Sequence, residues 1–238
     1  MQLKPFFSFY GAKWGLAPHY PRPLNYLIVE PFAGSAGYSV RHFDNAVQLY
    51  DIDPVLVGVW KYLIGSTKKD ILDLPIDFES TADLDIPQAA KHFLGFWIAR
   101  GRSTPAITKS AWMRSGLYAT SFWSKEKRDR VANQVQYIKH WRCDLLSYEN
   151  IYNFKATWFL DPPYQSKGIH YKMNKIDYSH LGDWAKSLNG QVIVCENDGS
   201  DWLNFSPFRK LRGVKNGGKK MSYESICLLG DGASESYS

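Results

Sequence analysis

The sequence predicts an α/β protein with a Rossmann-like sheet and a small helical insert. Two observations support this fold class. Short apolar stretches typical of buried strands alternate with helical stretches, as in a parallel sheet. A glycine-containing segment, Gly34 to Gly37, also follows the first apolar stretch, Leu27 to Val29. Glycines at that position let the backbone approach a bound ligand closely.

The individual elements follow in chain order. The first strand, residues 27–29, precedes a short helix at about 38–43, and a second strand is expected at 47–50. Pro54 fits the first turn of a helix that continues to residue 63. The remaining pattern predicts helices at 87–98 and 125–141, and strands beginning near 141 and 157 and spanning 191–195 and 225–229.

The predicted organisation is one sheet domain, residues 1–74 and 142–238, interrupted by an insert at 75–141. A chain of 238 residues can bury one sizeable core and carry a small second module. Residues 75–87 are acidic and rich in turn formers, which indicates a connection. Residues 230–238 are small and polar and are expected to fray.

Basic residues are concentrated in the insert. The net charge is +6, but residues 91–142 carry eleven Lys or Arg and two acids, so the remainder is acidic. A second block, residues 209–220, has six basic residues and no acid. Such blocks are typical of proteins that bind a polyanion. Aromatic residues within the first block favour nucleic acid over a merely solvated face: Trp97, Trp112, Tyr118, Phe122 and Trp123.

Several protein classes are not supported by the sequence. Three widely spaced cysteines and six unclustered histidines predict neither a disulfide framework nor a metal site. No stretch approaches eighteen apolar residues, so no membrane span is expected. No signal-peptide pattern is found at the N-terminus. We therefore expect a protein of the reducing cytoplasm.

The most informative motif is Asp161-Pro162-Pro163-Tyr164, which follows the apolar stretch at 157–160. Proline fixes φ and lacks a backbone donor, so the Pro162 carbonyl is held as an acceptor beside the Asp161 carboxylate. Two such acceptors suit an exocyclic amino group, and Tyr164 can stack on the ring that carries it. Taken alone, the motif fits a proline-stiffened turn equally well.

A second acid, Asp51, ends the second predicted strand. An acid in this position can accept hydrogen bonds from a ribose. The alternative is a helix N-cap ahead of Pro54.

Four motifs in this order resemble the Dam-like DNA adenine-N6 methyltransferases, the α group of S-adenosylmethionine-dependent amino-methyltransferases. Ala12 stands where the family usually has glycine, and Asp53 replaces an asparagine. The resemblance spans roughly residues 5–229. The motifs are Phe9-Tyr10-Gly11-Ala12-Lys13, Glu30 to Gly37, Asp51-Ile52-Asp53 and Asp161-Pro162-Pro163-Tyr164, with further likeness at Glu196-Asn197-Asp198 and Asn216-Gly217-Gly218-Lys219.

The resemblance implies transfer of a methyl group from S-adenosylmethionine to an adenine flipped out of double-stranded DNA, without a metal. It also implies a bacterial or phage-encoded enzyme. Its catalytic residues would be Asp161, Pro162, Pro163 and Tyr164. Lys13 would pair with the methionine carboxylate of the cofactor. Asp51 would bind its ribose, and Asp144 its adenine, although a turn role for Asp144 stays open. The other implied cofactor contacts are Phe9, Tyr10, Glu30, Phe32, Gly34, Ile52 and Asp161.

The insert is the expected DNA-recognition module. We expect Arg114 to read a base, because it opens the stretch that corresponds to the family's recognition loop. That stretch, residues 114–121, lacks the asparagine and proline of enzymes that act on GATC, so GATC stays open and is not implied. The expected phosphate or base contacts are Arg100, Arg102, Arg114, Lys125, Lys219 and Lys220.

Three alternatives remain at this stage. Some ribosomal RNA adenine-N6 methyltransferases carry the same four-residue motif. A DNA-binding homologue could have kept the fold and lost the reaction, although intact Asp161, Tyr164, Lys13 and Asp51 argue against this. Cytosine-N4 enzymes more often have serine in place of Asp161. Whether the protein belongs to a restriction-modification system cannot be read from the sequence.

Overall fold

The structure is a computed structural model that describes residues 1–116, 121–165, 176–215 and 218–233, with the side chains of 210–222 excepted. Seven strands form one mixed sheet in the order β3-β2-β1-β4-β5-β7-β6. The strands are β1 (Leu27–Glu30), β2 (Ala46–Asp51), β3 (Arg142–Leu145), β4 (Ala156–Leu160), β5 (Gly190–Asn197), β6 (Ser206–Lys215) and β7 (Gly218–Gly230).

Neighbouring strands among β1 to β5 pair in parallel, whereas β7 runs antiparallel to both β5 and β6. The strand order runs outward from β1 in both directions, which puts a topological switch point between β1 and β4. In open α/β sheets, ligands bind outside the carboxyl ends of the strands at such a point. The α/β class is confirmed, and the sheet is compatible with a Rossmann-like fold.

The helices within the described residues are short and connect the strands. They are α1 (Gly37–Arg41), α2 (Pro54–Gly65), α3 (Lys68–Leu72), α4 (Gln88–Ile98), α5 (Ala111–Arg114), α6 (Lys125–Gln134) and α7 (Tyr178–Ser187). The helix expected at 125–141 is wrong in its second half: α6 ends at Gln134, and a 3-10 turn, Val135–Ile138, follows it. The sequence reasoning also missed α3, α5, α7 and β6.

Hydrophobic residues cover both faces of the sheet. Every residue of β4 and β5 is buried, as expected for parallel strands packed on both sides. Phe159 and Ile193 belong to one hydrophobic cluster, whereas their chain neighbours Trp158 and Val192 belong to another. Because side chains alternate across a strand, the two clusters occupy opposite faces. Helix α7 packs in the second cluster.

The helical insert, residues 75–141, shares the first cluster with the sheet domain. Phe93 and Trp97 of α4 are buried in the same cluster as Phe6 and Trp60. The indole nitrogen of Trp97 donates to the Phe6 carbonyl at 3.0 Å. The insert and the sheet domain are therefore held by one continuous core.

The expectation that the aromatic residues of the insert lie on its surface is largely wrong. Trp97, Phe122 and Trp123 are no more than 6% exposed. Trp97 and Trp123 belong to the core cluster that the insert shares with the sheet, and Phe122 lines a second cavity. Trp112 is 65% exposed, and Tyr118 lies outside the described residues. Only Trp112 among the described members of this set presents a ring to solvent.

No helix in the part of the chain that the structure describes is long and apolar enough to cross a bilayer.

Candidate active site

A cavity of about 480 Å³ lies at the carboxyl ends of β1, β2 and β4, a size typical of small-molecule sites. Its wall combines the N-terminal motif, the loop after β1, the end of β2 and the end of β4. It therefore lies beside the switch point. Nine of the ten expected cofactor contacts line it: Phe9, Tyr10, Lys13, Glu30, Phe32, Gly34, Asp51, Ile52 and Asp161.

The tenth expected contact, Asp144, is outside the lining of this cavity. It lies on β3 with a half-exposed side chain, which accepts a hydrogen bond from the Gln48 amide at 3.0 Å. The lining near β3 instead comes from Ser147, Tyr148 and Glu149, which the sequence reasoning missed. Tyr148 packs against Phe32 with ring centroids 5.6 Å apart, so an aromatic pair closes that end.

Glycines bring the N-terminal motif and the β1 loop together. Gly34 and Ala36 both have left-handed backbone conformations, with φ of 46° and 48°. A Cβ on Gly37 would lie 2.4 Å from the backbone nitrogen of Trp14. Any larger residue at position 37 would push the segment that carries Lys13 away from the cavity.

Asp51 organises the loop that crosses the end of β2. One carboxylate oxygen accepts from the Gly34 amide at 3.2 Å and the other from the Asp53 amide at 2.9 Å. Burial raises the pKa of Asp51 to about 6, although these backbone donors oppose the shift. The N-cap of α2 is Asp53, which accepts from Val55, so the N-cap alternative for Asp51 is wrong.

Glu30 is a buried acid at the cavity wall. Its carboxylate accepts from the Ser39 amide at 2.7 Å, at the start of α1. Burial raises its pKa from an ordinary 4.5 to about 8. The folded protein therefore binds this proton more tightly than the unfolded chain does. Consequently, the stability contributed by this group is greatest at low pH and is lost as the pH rises through about 8.

Glu30→Gln should remove this pH dependence. The glutamine carbonyl can still accept from Ser39, and it never ionises. At pH 8.5 we expect the free energy of unfolding of the variant to exceed that of wild type by on the order of several kcal/mol, at about 1.4 kcal/mol per pKa unit. The variant should therefore unfold at a higher temperature than wild type at this pH. The two proteins should converge at pH 5. Thermal unfolding followed by circular dichroism at both pH values measures this. If the unfolding temperatures of variant and wild type differed by the same amount at both pH values, ionisation of buried Glu30 would not be the cause of the difference.

Asp161 and Lys13 form an ion pair at the end of β4. The Lys13 ammonium lies 2.8 Å from Asp161 and 3.6 Å from Glu224, and it also donates to the Gly11 carbonyl. Burial raises the pKa of Asp161 to about 6; the ammonium opposes this shift, and the charge of Glu224 adds to it. Burial disfavours the ammonium, but the two carboxylates outweigh that effect and raise the pKa of Lys13. Asp161 remains 20% exposed toward the cavity.

The rest of the four-residue motif is anchored from two sides. Pro162 is buried, while Pro163 lines the cavity and accepts a hydrogen bond from the Tyr178 hydroxyl at 2.7 Å. The amide after the motif, that of Gln165, donates to buried Glu196 at 3.2 Å. Contacts from α7 and β5 thus fix the direction in which the motif leaves the sheet.

The hydroxyl of Tyr164 is bound by a residue that the sequence reasoning did not identify. Glu224, on β7 and 3% exposed, accepts from Tyr164 at 2.5 Å and from Tyr20 at 3.1 Å. The Lys13 ammonium lies 4.7 Å from the centre of the Tyr164 ring. The available sequence signal was an acid directly before the apolar strand expected at 225–229.

The expected DNA contacts in the insert have varied surroundings. Arg100 and Arg102 line a second, more open cavity of about 460 Å³, together with exposed Trp112. Arg114 forms an exposed ion pair with Glu79 at 2.5 Å, and Lys125 pairs with Asp129. Exposed pairs of this kind contribute little to stability, so both cations can exchange partners. Lys219 and Lys220 lie on β7, outside the described side chains.

Within the described ranges, no group of three or more His, Cys, Asp or Glu side chains could hold a metal ion. The three cysteines are free and buried.

Comparisons with known proteins give only a distant likeness. No protein-family model matches the chain, and no curated protein matches it. A solved structure described as a conserved hypothetical protein from Streptococcus pyogenes superposes with a TM-score of 0.37 at 10% sequence identity. The match covers 91% of this chain and 93% of that one. The chain is thus distantly similar to a protein whose description states no activity.

Proposed function

We propose that this protein is a site-specific DNA adenine-N6 methyltransferase that uses S-adenosylmethionine. One observation carries the proposal. The N-terminal motif, the β1 loop, the acid ending β2, and Asp161 and Pro163 of the motif that follows β4 are separated by up to about 150 residues of chain, yet all line one cavity at the switch point of the sheet. Pro162 and Tyr164 of that motif are outside the lining. If the resemblance were due to chance, its four motifs would have no reason to lie together in the folded protein.

The cavity residues fit the cofactor in chemical type. Asp51 offers carboxylate oxygens to ribose hydroxyls, and aromatic rings of Phe9 and Phe32 offer apolar faces. Phenyl rings and carboxylates also suit a sulfonium cation. Lys13 is the cation available for a methionine carboxylate, although it pairs with Asp161 in this structure. When bound, S-adenosylmethionine supplies an activated methyl group.

The chain's own residues would position and polarise the target amine. Ionised Asp161 and the Pro162 carbonyl accept its two N–H groups, which localises the nitrogen lone pair. Tyr164 stacks on the flipped base and holds its plane. These effects are positioning and electrostatic preorganisation, and they need no covalent intermediate. Because ionised Asp161 is the stronger acceptor and carries the negative charge, the rate should fall as the pH falls through about 6.

The deciding experiment measures transfer from methyl-labelled S-adenosylmethionine to three polymers of matched sequence: duplex DNA, single-stranded DNA and RNA. Nucleoside analysis after digestion identifies the product. N6-methyladenine in duplex DNA is expected. The same product only in RNA would favour the ribosomal alternative, and N4-methylcytosine would change the target base. DNA binding without any transfer would indicate a catalytically silent homologue.

Removal of Arg100 and Arg102 should weaken DNA binding. Both are exposed beside Trp112 in the basic insert, and phosphate contacts release counterions. We expect the slope of log affinity against log salt to flatten by about one per lost phosphate contact, for all sequences alike. Arg114→Ala should instead relax sequence preference by about 1–3 kcal/mol on the cognate site.

The matched control is Lys186→Ala, an exposed cation on α7, which packs on the opposite face of the sheet. It should leave affinity and salt slope unchanged. Binding isotherms on cognate and scrambled duplexes at several salt concentrations provide both quantities. A triple variant with Arg100, Arg102 and Arg114 all changed to Ala completes the test. If its DNA affinity, salt slope and sequence preference equal those of wild type, the insert is not the DNA-binding module.

A further inference from the structure

We infer that Glu224 is a positioning residue whose carboxylate fixes the Tyr164 ring and the Lys13 ammonium around Asp161. The inference rests on the proposed function for the roles of Tyr164 and Asp161. It assigns a task to a buried acid on β7, a strand that contains no residue of the four motifs.

The contacts of Glu224 converge from three parts of the chain. A single carboxylate oxygen accepts from the Tyr164 hydroxyl at 2.5 Å and the Tyr20 hydroxyl at 3.1 Å, and it lies 3.6 Å from the Lys13 nitrogen. Glu224 itself is held by β7, where it lies opposite Asn197 of β5. Its position is therefore fixed by the sheet, whereas Tyr164 follows the proline turn.

The protonation states make these contacts directional. Burial, then the neighbouring acids, raise the pKa of both Tyr20 and Tyr164 well above the ordinary value. Both hydroxyls therefore keep their protons and donate to Glu224. A buried carboxylate is costly unless it is paired and hydrogen-bonded, and here an ammonium and two hydroxyls compensate it. Rotation of the Tyr164 ring would leave that carboxylate with one donor fewer.

Glu224 also acts on Asp161 through charge. The charged groups that face Asp161 are Lys13, Glu224 and Glu196. The titratable groups nearby that stay uncharged at neutral pH are Glu30, Tyr20, Tyr164 and Cys195. The negative charge of Glu224 contributes to the raised pKa of Asp161. Removing this charge should therefore lower the pKa of Asp161, and the acid limb of the rate–pH profile should move to lower pH.

The test compares Glu224→Gln, Tyr164→Phe and the double variant in single-turnover methyl transfer. Each single change should lower the rate constant on the order of 10-fold, and Tyr164→Phe should leave the dissociation constant for S-adenosylmethionine unchanged. Glu224→Gln replaces the charged acceptor of the Tyr164 hydroxyl with a weaker neutral one, and Tyr164→Phe removes the donor. Because both changes act on the same contact, the double variant should be little slower than either single one. The acid limb should move down in Glu224→Gln only.

A merely structural role predicts a different pattern. Glu224→Gln would then melt at a lower temperature but keep the wild-type rate constant and acid limb while folded, which would overturn the inference. If Glu224→Gln does not fold, Tyr164→Phe still decides: a wild-type rate constant in that variant overturns the inference.

A second readout separates this inference from the proposed function. If the wild-type protein methylates no polymer, the proposed function fails. Fluorine NMR of fluorotyrosine-labelled protein then reports the contact directly, with the Tyr164 signal assigned by its loss in Tyr164→Phe. A displaced Tyr164 signal in Glu224→Gln supports positioning by Glu224, and an unmoved signal overturns it.

Discussion

Asp161→Asn should lower the methyl-transfer rate by roughly 10²–10³-fold, the range seen when one preorganised polar group is removed from an active site. The amide has one acceptor oxygen, and its NH2 group would face the N–H groups of the target amine. It also removes the charge that lies 2.8 Å from Lys13. Asp161→Ala, which offers no acceptor, should abolish transfer. Single-turnover assays with labelled cofactor measure both.

The fold and part of the cofactor affinity should survive these changes. Lys13 keeps Glu224 as a counter-charge 3.6 Å away, so no isolated buried ammonium results. Asp183→Asn, an exposed acid on α7, is the matched control and should retain the wild-type rate. Full turnover by folded Asp161→Ala would show that the acid at the end of β4 is structural and would remove it from the mechanism.

The sheet was predictable from the sequence where burial is two-sided. The stretches at 27–29, 157–160 and 191–195 lie within strands, because a strand covered on both faces tolerates few polar residues. The stretch at 47–50 lies in β2, where buried and partly buried residues alternate. The acid ending each of β1, β2 and β4 was also visible: Glu30, Asp51 and Asp161 line the cavity. Parallel strands place their carboxyl ends at one edge, so consecutive motifs meet there.

The β6–β7 hairpin was missed for a physical reason. Its strands carry many basic residues, and a block of basic residues indicates a polyanion-binding surface as readily as a strand. Yet Asn216-Gly217 separates β6 from β7, and an Asn-Gly pair between strands is a strong hairpin signal. Because Glu224 belongs to this hairpin, its contact with Tyr164 could not be inferred: the two residues meet only through the pairing of β7 with β5.

The aromatic residues of the insert show how composition can mislead. Phe93, Phe96 and Trp97 are three and four residues apart on α4, a spacing typical of a core-facing helix stripe. Aromatic residues interleaved with basic ones suggested a nucleic-acid surface. The helical spacing indicates instead that those on α4 face the core. Trp112 differs because it lies on α5, a single turn that buries no residue.

Asp51→Ala should raise the dissociation constant for S-adenosylmethionine by about 10- to 100-fold. Hydrogen bonds to a charged acceptor contribute about 1.5–3 kcal/mol each. The carboxylate also holds the Gly34 amide at 3.2 Å, so its loss loosens the loop that lines the cavity. Lys13→Ala should weaken binding as well, through the methionine carboxylate. Asp73→Ala, an exposed acid at the end of α3, is the control. Isothermal titration measures all four proteins.

The pH dependence of that affinity identifies which acid is responsible. Ionised Asp51 is a stronger hydrogen-bond acceptor than protonated Asp51, and its pKa in the folded protein is raised to about 6. Wild-type affinity should therefore fall as the pH falls through about 6. Asp161 titrates in the same range, but its contribution persists in Asp51→Ala, so the difference between the two proteins isolates Asp51. Unchanged dissociation constants in both Asp51→Ala and Lys13→Ala would mean that the cofactor binds outside this cavity, and a parallel pH dependence in wild type and Asp51→Ala would assign the effect to Asp161.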